Sequence, residues 1–212
     1  MQPAAIFMVY ISERSFKPQG KEQSMDDNAI IELYWMRSEN AITETAKKYS
    51  GYCRYISYNI LHNHQDAEEC VNDTFLRTWR AIPPQHPNCL AAFLGKITRN
   101  LSLNRYRENT AAKRGLGQTG LVLSELEECL PSASDVEQTI DEIVLAQALN
   151  TFLTAQPKTN RMVFVRRYWY LSTIREIAEQ YHMSESKVKS MLFRTRNELR
   201  KYFEKEGLIY GK

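Results

Sequence analysis

The sequence predicts an all-α protein: two small helical bundles joined by a flexible acidic linker, the second containing a helix-turn-helix. Three observations carry that expectation. No segment alternates apolar and polar residues as a half-buried strand would, whereas apolar residues recur at helical spacing through most of the chain. Charge is laid down in blocks. There are six Lys/Arg against one Asp/Glu from Lys96 to Arg114, then seven Asp/Glu and no Lys/Arg from Gly115 to Leu145, then eleven against five from Arg161 to Lys205. Finally, Thr173 to Tyr202 holds two amphipathic runs split by a short polar break. A net charge of +3 over 212 residues decides little alone. Two basic blocks around an acidic one point to two modules that face nucleic acid and a connector that does not.

Residues 1–24 show no sustained period and are read as a poorly ordered N-terminal extension, with a short partner-binding peptide as the alternative. Met25-Asp26-Asp27 then opens a first domain, 25–114, with helices expected at 27–36, 39–62, 66–81 and 89–108. The long second helix carries Tyr49, Tyr52, Cys53, Tyr55, Ile56, Ile60 and Leu61, an aromatic-rich pattern that reads as core. Gly51 within it is a place for a bend. Ile82-Pro83-Pro84-Gln85-His86-Pro87-Asn88 has too many prolines for a helix. Residues 115–134, with Gly115, Gly117 and Gly120, read as the linker, and 135–212 as the second domain with helices at 135–154, 158–169, 173–181 and 185–205.

Several function classes drop out early. The four cysteines have no spacing suited to a metal site or a redox pair, and Cys53 and Cys70 fall in apolar faces as reduced core residues. No apolar run reaches transmembrane length. Ala4 to Ile11 is too short and lacks the positive flank of a signal peptide, so a cytoplasmic protein without direct membrane insertion is expected. There is no Gly-rich phosphate loop and no His/Asp/Glu set with usable spacing. No catalysis, metal, cofactor or small-molecule substrate is therefore expected.

In Thr173–Tyr202, Ile174, Ile177, Ala178 and Tyr181 form the apolar face of a first short helix. His182-Met183-Ser184 breaks the pattern, and Ser184 is an N-cap without the reciprocal capping box, since Lys187 stands three residues on. In the second helix Val188, Met191, Leu192, Thr195, Leu199 and Tyr202 fall on one side. Ser186, Lys187, Lys189, Ser190, Phe193, Arg194, Asn197, Arg200 and Lys201 fall on the other. A solvated cationic face is the plain reading of such a helix. The small Ala178 at the point of close approach, the tight turn and the basic second helix favour a helix-turn-helix that enters the major groove. The turn position that usually holds Gly is His182.

Asp66 to Arg80 buries Ala67, Cys70, Val71, Thr74, Phe75 and Trp79, and exposes an acidic patch of Asp66, Glu68, Glu69 and Asp73. By itself that patch reads as carboxylates favoured by the helix dipole. Leu90 to Arg107 is expected to bury Leu90, Phe93, Leu94, Ile97, Leu101 and Leu103, and to expose Lys96, Arg99, Asn100, Asn104, Arg105 and Arg107. A basic helix behind a stiff loop carrying His86 and Asn88 suits an unpaired base.

DAEECVNDTFLRTW, then AFLGKITRNLSLNRYR, then the helix-turn-helix resembles the bacterial RNA polymerase sigma factors of the extracytoplasmic-function group, from Met25 to about Glu206. The resemblance implies an alternative sigma factor that binds core RNA polymerase and directs promoter recognition and transcription initiation. It implies core-polymerase contacts at Glu68, Glu69, Asn72 and Asp73. Contacts to the opened minus-ten element are implied at His86, Asn88, Lys96, Arg99, Asn100, Asn104 and Arg105. Contacts to duplex DNA at the minus-thirty-five element are implied at Ser186, Lys187, Lys189, Ser190, Phe193, Arg194 and Asn197. In this family the linker threads toward the RNA exit path, and the group leaves room for an anti-sigma factor as a further partner. Phe93 stands where the family often has Trp, and Asn104 where it often has Asp. The rival is a stand-alone helix-turn-helix regulator, which explains residues 173–202 equally well and gives the acidic helix and the proline loop no purpose.

Overall fold

The computed structural model describes residues 25–111, Val122, Glu125 and 142–208, and among these there are eight helices and no strand. They are α1 (Asp27–Trp35), α2 (Asn40–Leu61), α3 (His64–Ala81), α4 (Leu90–Ala111), α5 (Glu142–Ala155), α6 (Lys158–Tyr168), α7 (Ile174–Gln180) and α8 (Glu185–Lys205). The chain separates into two compact units, dividing between Asn109 and Thr110. The expected N-terminal extension, most of the expected linker and residues 135–141 lie outside the described residues, as does Cys129.

In the first unit two helix starts, those of α1 and α3, are set by a side-chain cap. Asp26 caps α1 by accepting from the Asn28 amide at 3.0 Å. Asn63 caps α3 through its Oδ1, which accepts from the amides of Gln65 at 2.8 Å and Asp66 at 3.2 Å, satisfying two of the orphan donors of the first turn. The helix therefore begins two residues before the expected 66. His62, the residue after α2, takes the left-handed conformation that ends a helix sharply. Gly51 does not interrupt α2, which runs continuously through it.

The core of this unit combines Ile30, Ile31, Tyr34, Ile56, Ile60, Val71, Leu90 and Leu94 with a set of buried hydroxyls. The Ser57 and Ser102 hydroxyls lie 2.9 Å apart, and those of Thr74 and Thr98 lie 3.1 Å apart. Thr74, Thr98 and Ser102 also reach the carbonyls four residues back at 2.7–2.8 Å, so their burial is compensated. These small residues let α2, α3 and α4 approach closely. Gly95 on α4 lies against Tyr52 so tightly that a Cβ there would sit 2.6 Å from the tyrosine oxygen.

That hydroxyl face corrects the expected phase of α4. Phe93 and Ile97, expected inside, are only half-buried, whereas Thr98 and Ser102 are fully buried. Arg99, expected on the exposed face, is 2% exposed. Burial pulls its guanidinium down to about 10, with the nearby Arg107 charge acting in the same direction. Tyr55 on α2 is a second correction: expected in the core, it is exposed. Cys53 and Cys70 are buried as expected, and burial pushes the Cys53 thiol up to about 12, which leaves it protonated and inert.

In the second unit α8 packs against α6, α7 and α5. Its core is built from Leu145, Leu149, Leu153, Phe164, Tyr168, Trp169, Ile177, Val188, Leu192, Leu199 and Phe203. Val122 is buried in this unit as well.

Candidate nucleic-acid interface

The α7-turn-α8 unit is set by local chemistry at three points. Thr173 and Glu176 form a complete capping box at the start of α7: Thr173 Oγ1 accepts from the Glu176 amide at 3.1 Å, and Glu176 Oε2 accepts from the Thr173 amide at 2.7 Å. The Thr-x-x-Glu spacing was available in the sequence and announces this start. His182 takes a φ of 52°, the left-handed turn conformation that Gly usually supplies and that His enters more readily than most residues. Ser184 then caps α8 by accepting from the Lys187 amide at 3.2 Å, and Glu185 places a carboxylate at the positive helix end.

These caps fix the rotation of α8. Val188, Leu192, Thr195 and Leu199 point into the core, with Phe203 one turn further on. Ser186, Lys187, Lys189, Ser190, Phe193, Arg194, Asn197, Arg200 and Lys201 are all exposed. Phe193 is 59% exposed, the most exposed aromatic side chain among the described residues. Single exposed apolar residues are ordinary. This one is centred on a basic helix face, where a methyl-bearing base edge or a sugar would cover it. Arg200 is tied along the helix to Glu204 at 3.2 Å, and Lys189 approaches Glu185 at 4.0 Å. Both are exposed pairs, worth about 0–1 kcal/mol, and are easily exchanged for phosphate.

In the first unit the proline loop between α3 and α4 is pinned at both ends by the fully buried Ile82 and Leu90. Between them Gln85, His86, Asn88 and Cys89 are exposed. The His86 ring lies 5.9 Å from that of Trp35, itself 41% exposed, and His86 Nε2 is 3.8 Å from Glu32 Oε1. Trp35 was not among the residues expected at this surface. Behind the loop, Asn104 is exposed and Lys96, Asn100 and Arg105 are partly so. The buried Arg99 does not share that surface.

The acidic patch on α3 is exposed as expected at Glu68, Glu69, Asn72 and Asp73. Glu68 is engaged by Arg54 of α2 through Nε and, at 3.2 Å, through Nη2. Glu69 pairs with Arg105 of α4 at 2.5 Å, which joins a residue expected to face polymerase to one expected to face DNA. Leu76, 44% exposed, continues the line of Glu69, Asn72 and Asp73 at helical spacing. A charge pattern does not single it out on such a face, although its helical spacing is legible in the sequence.

Among the described residues there is no group of three His, Cys, Asp or Glu able to hold a metal, and no helix is long and apolar enough to cross a membrane.

Comparison with known proteins matches a stretch of each unit separately. The family model for Sigma-70 region 2 matches residues 45–112, and that for Sigma-70, region 4 matches residues 147–199. The chain is also 24% identical over 164 residues to the ECF RNA polymerase sigma factor SigE of Mycolicibacterium smegmatis. That alignment covers 77% of this chain and 62% of the relative's length.

Proposed function

Because the chain belongs to the extracytoplasmic-function group of RNA polymerase sigma factors, we propose that it binds core RNA polymerase and directs promoter recognition and transcription initiation. The observation that supports this reading is the pairing in one chain of two compact units, each matched by its own Sigma-70 region. Residues 25–114 serve as the polymerase and minus-ten module, 115–134 as the linker and 135–212 as the minus-thirty-five module.

The division of labour follows from chemistry. The α3 face of Glu69, Asn72, Asp73 and Leu76 docks on polymerase, with an apolar contact at its end and carboxylates that select a basic partner. On α8, Lys187, Lys189 and Lys201 meet phosphates, which positions the helix without reading sequence. Ser186, Ser190, Phe193, Arg194 and Asn197 face the base edges. The loop with His86 and Asn88 and the α4 residues Lys96, Asn100, Asn104 and Arg105 hold the strand as it opens, where stacking on aromatic rings is worth about 1–3 kcal/mol per base. The polymerase does the chemistry and this chain supplies the address.

A stand-alone regulator is not favoured, since it leaves the α3 face unexplained. The test is initiation itself. Purified core polymerase should start RNA at one position on a cognate promoter only when the chain is added. Specific binding of the promoter without any gain in initiation would refute the proposal.

A further inference from the structure

The second unit contains an ionic cluster that none of the assigned surfaces uses. Glu125 lies within the expected linker, yet its carboxylate is seated on the helix-turn-helix unit. Arg167 of α6 grips it in a fork, Nη2 donating to Oε1 at 2.6 Å and Nε to Oε2 at 3.4 Å. The Tyr168 hydroxyl donates to Oε2 at 3.2 Å and itself accepts from Arg196 Nη1 at 2.7 Å. Arg196 Nη1 also reaches Oε2, at 3.4 Å. Val122, three residues earlier, is buried.

Three features mark this as an exchangeable site and not only a staple. Arg167 is 8% exposed, and its Nη1 donates to the Ser172 carbonyl at 3.2 Å, so its fork stays aimed whatever anion it holds. The Glu125 side chain is 31% exposed, so its carboxylate leaves without opening the core. Arg196 sits on the rim of α8, between buried Thr195 and Leu199 and exposed Phe193 and Arg200, beside the face proposed for DNA. Forked guanidinium groups bind carboxylate and phosphate by the same geometry.

We propose that Arg167, Tyr168 and Arg196 form an anion site that takes a DNA backbone phosphate, and that Glu125 of the linker occupies it when DNA is absent. The linker carboxylate stands in for the phosphate and holds down the free protein's affinity for DNA. Withdrawal of the Glu125 carboxylate from this cluster frees the site for a promoter phosphate. This inference rests on the proposed role of α8 in binding DNA.

The test uses the full chain and duplex DNA, measuring affinity against salt for the unsubstituted protein, Glu125→Gln, Glu127→Gln and Arg196→Ala, with the helical spectrum recorded for each. Glu127→Gln removes the same charge from a neighbouring linker position. Glu125→Gln should tighten DNA binding by about tenfold, the order of one set of charge-assisted hydrogen bonds. It should also steepen the log–log salt dependence by about 0.9 for the added phosphate contact. Glu127→Gln should do much less, and Arg196→Ala combined with Glu125→Gln should abolish the gain. Equal effects at 125 and 127, or a gain that survives Arg196→Ala, would overturn the anion site while leaving the DNA-reading role of α8 intact. Loss of the fold in Glu125→Gln would show the carboxylate to be a structural staple and overturn it too. If no variant binds DNA in a salt-dependent way, the DNA-reading role itself fails, and the site with it.

Discussion

Reversing the acidic face of α3 separates a docking surface from a merely solvated one. Glu69 and Asp73 are both exposed, but their surroundings differ: Glu69 pairs with Arg105 at 2.5 Å, its side chain 57% exposed and that of Arg105 31%. A pair so open to water contributes about 0.2–1 kcal/mol. Glu69→Lys should therefore cost the first unit roughly that much plus a little repulsion from Arg105, a fall in melting temperature of about 1–8 °C for a domain of this size. Asp73→Lys disturbs no buried group and should stay within about 0.5 kcal/mol. Binding should respond on another scale. Each reversal turns an attraction toward a basic partner into repulsion, and about 1.4 kcal/mol per site is a factor of ten. The double reversal should therefore weaken affinity for core polymerase about 100-fold or more. The assay is anisotropy titration of labelled protein with core polymerase, beside circular dichroism melts of the same samples. Affinity that follows melting temperature, falling for Glu69→Lys and unchanged for Asp73→Lys, would refute the reasoning.

Two further predictions concern α8 and the α2–α4 contact. Arg194→Ala should cost about 1–3 kcal/mol on the cognate upstream element and relax preference among sequences. Lys201→Ala should weaken all sequences alike and shallow the salt dependence; identical behaviour across a panel of sequences would reduce Arg194 to a phosphate contact. Gly95→Ala places a Cβ 2.6 Å from the buried Tyr52 oxygen. Overpacking of about 1–3 kcal/mol should then outweigh the ~1 kcal/mol gained in helix propensity, lowering the melting temperature. In a Tyr52→Phe background the same change should be neutral or stabilising; a continued loss there would mean the clash is not with the hydroxyl.

The sequence made the second unit more legible than the first, for a physical reason. On α8 the buried side is made mainly of large apolar residues, with Thr195 among them, so Val188, Leu192 and Leu199 set a phase that leaves every expected surface residue exposed. On α4 the closest packing belongs to Gly95, Thr98 and Ser102, whose hydroxyls are satisfied by carbonyls one turn back. A hydrophobicity pattern does not register such a face. It drew Phe93 and Ile97 inward and placed Arg99 in solvent. The expected start of α3 at Asp66 falls two residues late, because the capping side chain is Asn63. In the sequence Glu125 reads only as one carboxylate of the acidic linker: its partners Arg167 and Arg196 lie 42 and 71 positions away, so only folding brings them together.

The most direct test of the account is promoter affinity at physiological salt, with and without core polymerase. One recognition helix offers few base contacts, so the protein alone should bind weakly and with steep salt dependence, on the order of 10⁻⁴–10⁻⁶ M, as in non-specific association. With core polymerase present both reading modules are held on one platform at high effective concentration, and binding should become tight and sequence-specific. Nanomolar, sequence-specific binding by the chain alone, unchanged when polymerase is added, would contradict the account and favour a self-sufficient regulator.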